Sequence, residues 1–175
     1  MDDAEGHFRG TGWSTEFGGG FGGVATSAVL DEWPFVYLKV FGGLPPGGSS
    51  DAASGEGALF GILFMDGIRP GPVCIGAKVE WSDSDADLGH WMLYAALGGE
   101  GDDKAAFNRT KGPINVATPA KRAKEKWPGV DRVSWFEIPL GAVSSPELLK
   151  RAVEATQQLV LGEKVQAVAL IADLE

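Results

Sequence analysis

Three aspartates at alternate positions, Asp83, Asp85 and Asp87, followed by His90, form the stretch of this chain best suited to chemistry. A D-x-D-x-D run presents successive carboxylates to a hard cation, and a nearby imidazole would complete a set for a divalent transition metal. Asp85 and His90 are also the candidate catalytic pair for proton transfer, given a positioned partner. An EF-hand loop opened by Asp83 needs Gly at its sixth position and Glu at its twelfth. Leu88 and Tyr94 stand there instead. The plainer reading is a solvated acidic turn whose aspartates bond their own backbone. His7, the other histidine, sits in a glycine-rich stretch and is the poorer base.

A second group is cationic. Lys121, Arg122, Lys124 and Lys126 crowd one short segment and suit a phosphate or an acidic partner, such as the acidic front half of a second copy. The plainer reading is a wet helix face, with Lys121 and Glu125 an i,i+4 pair. A third group is aromatic. Trp13 and Trp33 lie in Gly- and Pro-rich contexts, where an indole beside acids stacks on a ligand or grips a partner. Trp81, Trp91 and Trp135 fall in or beside strand-like runs and read as core.

Other patterns fail on context. Residues 18–23 contain G-x-G-x-x-G, but no strand precedes them and no helix follows, so no nucleotide cofactor is expected. No serine has the G-x-S-x-G setting of a nucleophile elbow. Cys74, the single cysteine, rules out a disulfide framework and a Cys-built zinc site. It reads as a small structural residue.

These groups need elements to hold them, and glycine and charge divide the chain. Of 26 glycines, 22 lie in residues 1–101. That front half carries 14 Asp/Glu against 4 Lys/Arg, whereas residues 102–175 carry 10 against 11. The net charge of −9 argues against nucleic acid and against an anionic membrane surface. The longest apolar run, 58–65, is far short of the roughly 20 residues of a membrane span, and the opening residues lack a secretory pattern. The expected location is cytoplasmic.

Residues 1–23 read as a Gly/aromatic segment, flexible unless its own Phe8, Trp13, Phe17 and Phe21 or a neighbouring chain tie it down. Residues 24–175 read as a single α+β domain. Its front, 24–101, is a mostly antiparallel sheet of about four or five strands: 24–30, 35–41, 58–65, 73–81 and 91–97. A turn at 31–34 and a long loop at 42–57 connect them. Val73, Ile75, Ala77, Val79 and Trp81 alternate with Cys74, Gly76, Lys78 and Glu80, which predicts a half-buried strand in a hairpin with 58–65.

The back, 113–175, predicts a short helix over 120–127 with Thr118 as N-cap, then a β-α-β unit: strand 133–138, helix 145–161 and buried strand 165–171. Ser144 and Glu147 have capping-box spacing, and Gly162 is a natural helix stop.

Two functional classes fit. The first is a non-catalytic binding or assembly module forming homo-oligomers, with the N-terminal segment and the 121–126 patch making contacts. The second is a small enzyme or ligand-binding protein whose pocket, for a small-molecule ligand, is roofed by loops 42–57 and 98–113. It would use Asp83, Asp85, Asp87 and His90 for a divalent cation or acid–base chemistry.

Overall fold

A computed structural model of the chain describes residues 2–15, 36–48, 55–65, 71–82, 107–120 and 129–174. Within them the fold is α+β. Six strands form one sheet in which every pairing is antiparallel: β1 (Val36–Gly43), β2 (Gly55–Met65), β3 (Val73–Trp81), β4 (Phe107–Thr110), β5 (Asn115–Pro119) and β6 (Val130–Pro139). Their spatial order is β1-β2-β3-β6-β5-β4. Three described helices, α1 (Asp2–Gly10), α2 (Pro146–Val160) and α3 (Lys164–Ile171), complete the fold.

The β2–β3 hairpin has the predicted pairing, with Phe60 opposite Gly76 and Ala58 opposite Lys78. On its other side β3 pairs with β6, placing Gly76 opposite Phe136 and Lys78 opposite Ser134. Alternation along β3 is correct, but its smaller face is not wet. Cys74 and Gly76 are buried because α2 lies across β2 and β3 on that side. Small residues there make room for a helix. A Cβ on Gly76 would stand 2.1 Å from Thr156 Oγ1 and 2.3 Å from the Phe136 ring. The opposite face is buried too, through Leu59, Leu63, Ile75, Ala77, Val79 and Val133.

Helix α2 starts one residue later than the capping-box spacing implies. Ser145 is the N-cap, its hydroxyl accepting from the Leu148 N–H, and Pro146 fills the first helical position. It stops at Gly162 (φ +87°), with Glu163 N–H donating to Gln158 C=O and Gly162 N–H to Leu159 C=O, the 6→1 and 5→2 bonds of a Schellman stop.

The chain beyond Gly162 departs from expectation. Residues 165–171 are not a strand but helix α3, folded back on α2, so residues 133–171 form no β-α-β unit. A short apolar run suits a strand and a helix equally by periodicity. A strand beside β6 has no place, because β6 is already flanked by β3 and β5. The helix buries Ala167 and Ile171, at the i, i+4 spacing of one face, and Leu174 follows them into the core from the turn beyond.

Three smaller differences follow. The 42–57 connection is shorter than read, since β1 reaches Gly43 and β2 opens at Gly55, where the Trp81 ring lies over the glycine. Part of the 98–113 loop is β4, and Thr118 and Pro119 end β5 rather than cap a helix. The N-terminal stretch opens with helix α1, not a featureless tail. The 24–30 and 91–97 strands and the 121–127 part of the predicted helix lie outside the described residues.

Candidate functional site

Most residues singled out for chemistry, Asp83, Asp85, Asp87, His90, Trp33, Lys121, Arg122, Lys124 and Lys126, lie outside the described residues. Among the described ones no group of three or more His, Cys, Asp or Glu side chains is placed to hold a metal. No described helix is long and apolar enough to cross a membrane. Cys74 is free and buried, and burial pushes its thiol up to about 12, which removes it as a nucleophile at neutral pH.

Trp13 is described, and it is 6% exposed. Its indole packs edge-on against Phe8 at 5.5 Å, and Phe8 packs edge-on against Phe60 of β2 at 6.0 Å. The ring is core, not a surface grip. Ala4 and Phe8 join the same apolar cluster from α1. A Cβ on Gly43 would stand 3.2 Å from the Phe8 ring, so the end of β1 accommodates Phe8 by having no side chain.

Polar contacts finish the fit. Gln157, on the expected wet face of α2, is 6% exposed, and its amide donates to Thr11 Oγ1 at 2.7 Å. Ser14 and Leu44 exchange two backbone hydrogen bonds of 3.1 and 2.8 Å. Residues 2–15 are thus an arm seated in a groove between α2 and the β1–β2 side of the sheet. The groove's contributions from Gly43 and Gln157 were not legible in the sequence. Signals for α1 were present: acids at Asp2, Asp3 and Glu5, a Glu5–Arg9 pair (2.7 Å), and Ala4 four residues before Phe8.

A different surface lies on the α2–α3 hairpin. Leu161, at its turn, is 56% exposed and Val165, one residue into α3, is 80% exposed. Ala169 and Ala172 are also exposed. Helical residues step by about 100°, so Val165, Ala169 and Ala172 fall within roughly 60° of each other. Arg151 fixes the hairpin from α2, donating to Leu170 C=O and to Asp173, both at 3.1 Å.

Two charged groupings lie on the sheet. Lys78, on the α2 side of β3, donates from Nζ to the Val160 carbonyl at 3.0 Å and ion-pairs with Glu56 and with Glu80 (3.5 Å). Glu56 and Glu80 are cross-strand neighbours, and Lys78 offsets the repulsion such a pair carries. On the other face Trp135 Nε1 donates to Glu137 Oε1 at 2.9 Å. Both groupings are pairings internal to the fold.

No family model, no curated protein and no solved structure matches this chain.

Proposed function

We propose that this protein is a non-catalytic assembly module that self-associates through the exposed face of α3. The observation that carries the reading is that face itself: Val165 stands 80% exposed, with Ala169 and Ala172 exposed on the same side of a helix whose only polar residues are Lys164 and Gln166, and Leu161 is 56% exposed at the turn before it. Helices of that composition are normally covered.

A second copy fits it. An antiparallel crossing about a two-fold axis beside Ala169 sets each Val165 against the partner's Ala172, a large residue against a small one. The stripe is short against the ~800 Å² per partner of a stable interface, so the dimer is weak, with Kd above about 1 µM. A single free, buried thiol fits a reducing, cytoplasmic setting.

Light scattering across concentration and salt tests this. Each copy carries −9, so added salt screens repulsion and strengthens contact through an uncharged stripe. A contact between the 121–126 basic patch and an acidic front half would weaken instead. Val165→Glu is expected to abolish association. A monomer at every concentration and salt level sinks the reading.

A further inference from the structure

We infer that the N-terminal arm is an exchangeable docking element, and that the groove holding residues 2–15 also accepts the same arm from a second copy. The inference uses a different surface from the α3 stripe and does not depend on it.

The arm's helix is too short to be stable alone. Helix α1 is nine residues long, contains Gly6 and ends at Gly10. Isolated helices below ~12–15 residues are marginal even in alanine-rich sequences. Within the arm, Arg9 donates to Thr15 Oγ1 and pairs with Glu5; the groove adds the seat for three buried anchors, Ala4, Phe8 and Trp13, the Gln157–Thr11 hydrogen bond, and the Ser14–Leu44 bridge.

Every one of these groove partners is remote in the chain. The Gln157–Thr11 bond spans 146 positions, and Leu44 and Phe60 belong to the body beyond residue 36. Among the described contacts, the groove's side comes from Gly43, Leu44, Phe60 and Gln157, and a second copy presents the same four. Selection rests on the covalent connection, residues 16–35, whose reach is at most about 70 Å. Tethered binding elements typically meet their own site at an effective concentration on the order of millimolar. Docking within one chain therefore dominates in dilute solution. Exchange between copies gains as total concentration approaches that value, because an exchanged arm keeps the same anchors and hydrogen bonds.

The bridge between Ser14 and Leu44 supplies the test. Residues exchanging both backbone hydrogen bonds across antiparallel strands sit with Cα atoms about 5.5 Å apart, within disulfide range. A Ser14→Cys chain is mixed with a Leu44→Cys chain from ~10 µM to ~1 mM under a mild oxidant, and linked peptides are mapped by mass spectrometry. The buried native thiol at Cys74 stays out of the reaction.

A heterodimer joined between the two introduced thiols is expected, its share rising with concentration. Adding Phe8→Ala to the Ser14→Cys chain should weaken docking by at least about a hundredfold and remove the heterodimer. Adding Val165→Glu should not. The double variant Ser14→Cys/Leu44→Cys, dilute, should close within one chain. If it closes but no heterodimer forms up to ~1 mM, the arm stays with its own groove and the inference fails. If it stays folded by circular dichroism and does not close, the arm–groove pairing is itself wrong.

Discussion

Gly76→Ala is the substitution for which this fold makes the sharpest demand. The added methyl would lie 2.1 Å from Thr156 Oγ1 and 2.3 and 2.7 Å from two Phe136 ring carbons. Ordinary carbon contacts lie near 3.5–4.0 Å. Neither neighbour has room to retreat. Thr156 and Phe136 are fully buried, and the threonine hydroxyl donates to the Ala152 carbonyl at 2.9 Å. The helix must lift from the sheet or the ring must leave its place. Overpacking of this kind costs about 1–3 kcal/mol, and two rigid neighbours put it near the upper end. For a chain of this length ~1 kcal/mol moves Tm by roughly 2–4 °C, so a fall of about 6–12 °C is expected by calorimetry. Phe136→Ala alone should cost ~3–5 kcal/mol. Combined with Gly76→Ala it should cost about 1 kcal/mol less than the sum, because removing the ring relieves its part of the clash and opens room beside Thr156. A Gly76→Ala protein melting within about 1 °C of the parent would refute the packing of α2 on β3.

Phe8→Ala should undock the arm without unfolding the body: amides of residues 2–14 lose protection from hydrogen exchange while those of α2 and β3 keep it, and equal loss throughout would contradict this. Alkaline stability should reflect Cys74, whose folded thiol is held at about 12 by burial against an ordinary value of 9.0. Below pH ~9 both states are protonated and nothing changes. Between ~9 and ~12 the unfolded chain gives up the proton and the folded one does not, so stability falls by up to ~1.4 kcal/mol per pH unit. Cys74→Ala should lose that increment, and an unchanged difference between the two proteins from pH 8 to 11 would count against it. The Asp83, Asp85, Asp87 and His90 set is tested by thermal shifts with Ca²⁺, Mg²⁺, Mn²⁺ and Zn²⁺. A bound ion raises Tm in the parent and not in Asp85→Ala, and no rise with any of the four removes the metal reading.

Where one force dominates, sequence and fold agree. The period-two pattern of Val73–Trp81 sets its faces, and the run at 58–65 supplies its partner. Gly162 marks the end of α2 because its left-handed backbone suits glycine. Elsewhere local pattern was insufficient. Cys74 and Gly76 read as a wet face, yet their smallness is what a helix needs to approach a sheet. Residues 165–171 are apolar enough for a buried strand; the pairing of β6 on both sides denies them a place beside it, and they fold back on α2 as a helix. That reading also hid Val165, which a helix leaves exposed. Gln157 looked solvated because its partner, Thr11, is far away in the chain. Strand β4 is four residues with polar Asn108 and Arg109 and makes sense only beside β5. Of the candidate site, Phe8 and Trp13 were legible as aromatics that tie down the N-terminal segment, and the groove receiving them was not.

Lys78 ties together parts of the molecule that the chain keeps far apart. Its ammonium grips the last carbonyl of α2, 82 positions away, while Glu56 and Glu80 hold it to two strands. It acts as a pin through the end of a lever. With that end fixed, α2 is hindered from sliding along its axis or rolling over Gly76, and the turn at Gly162 transmits the orientation to α3. The heading of the outermost helix is thus set from the middle of the sheet. Loosening the pin should therefore blur the surface α3 presents before it weakens the core beneath.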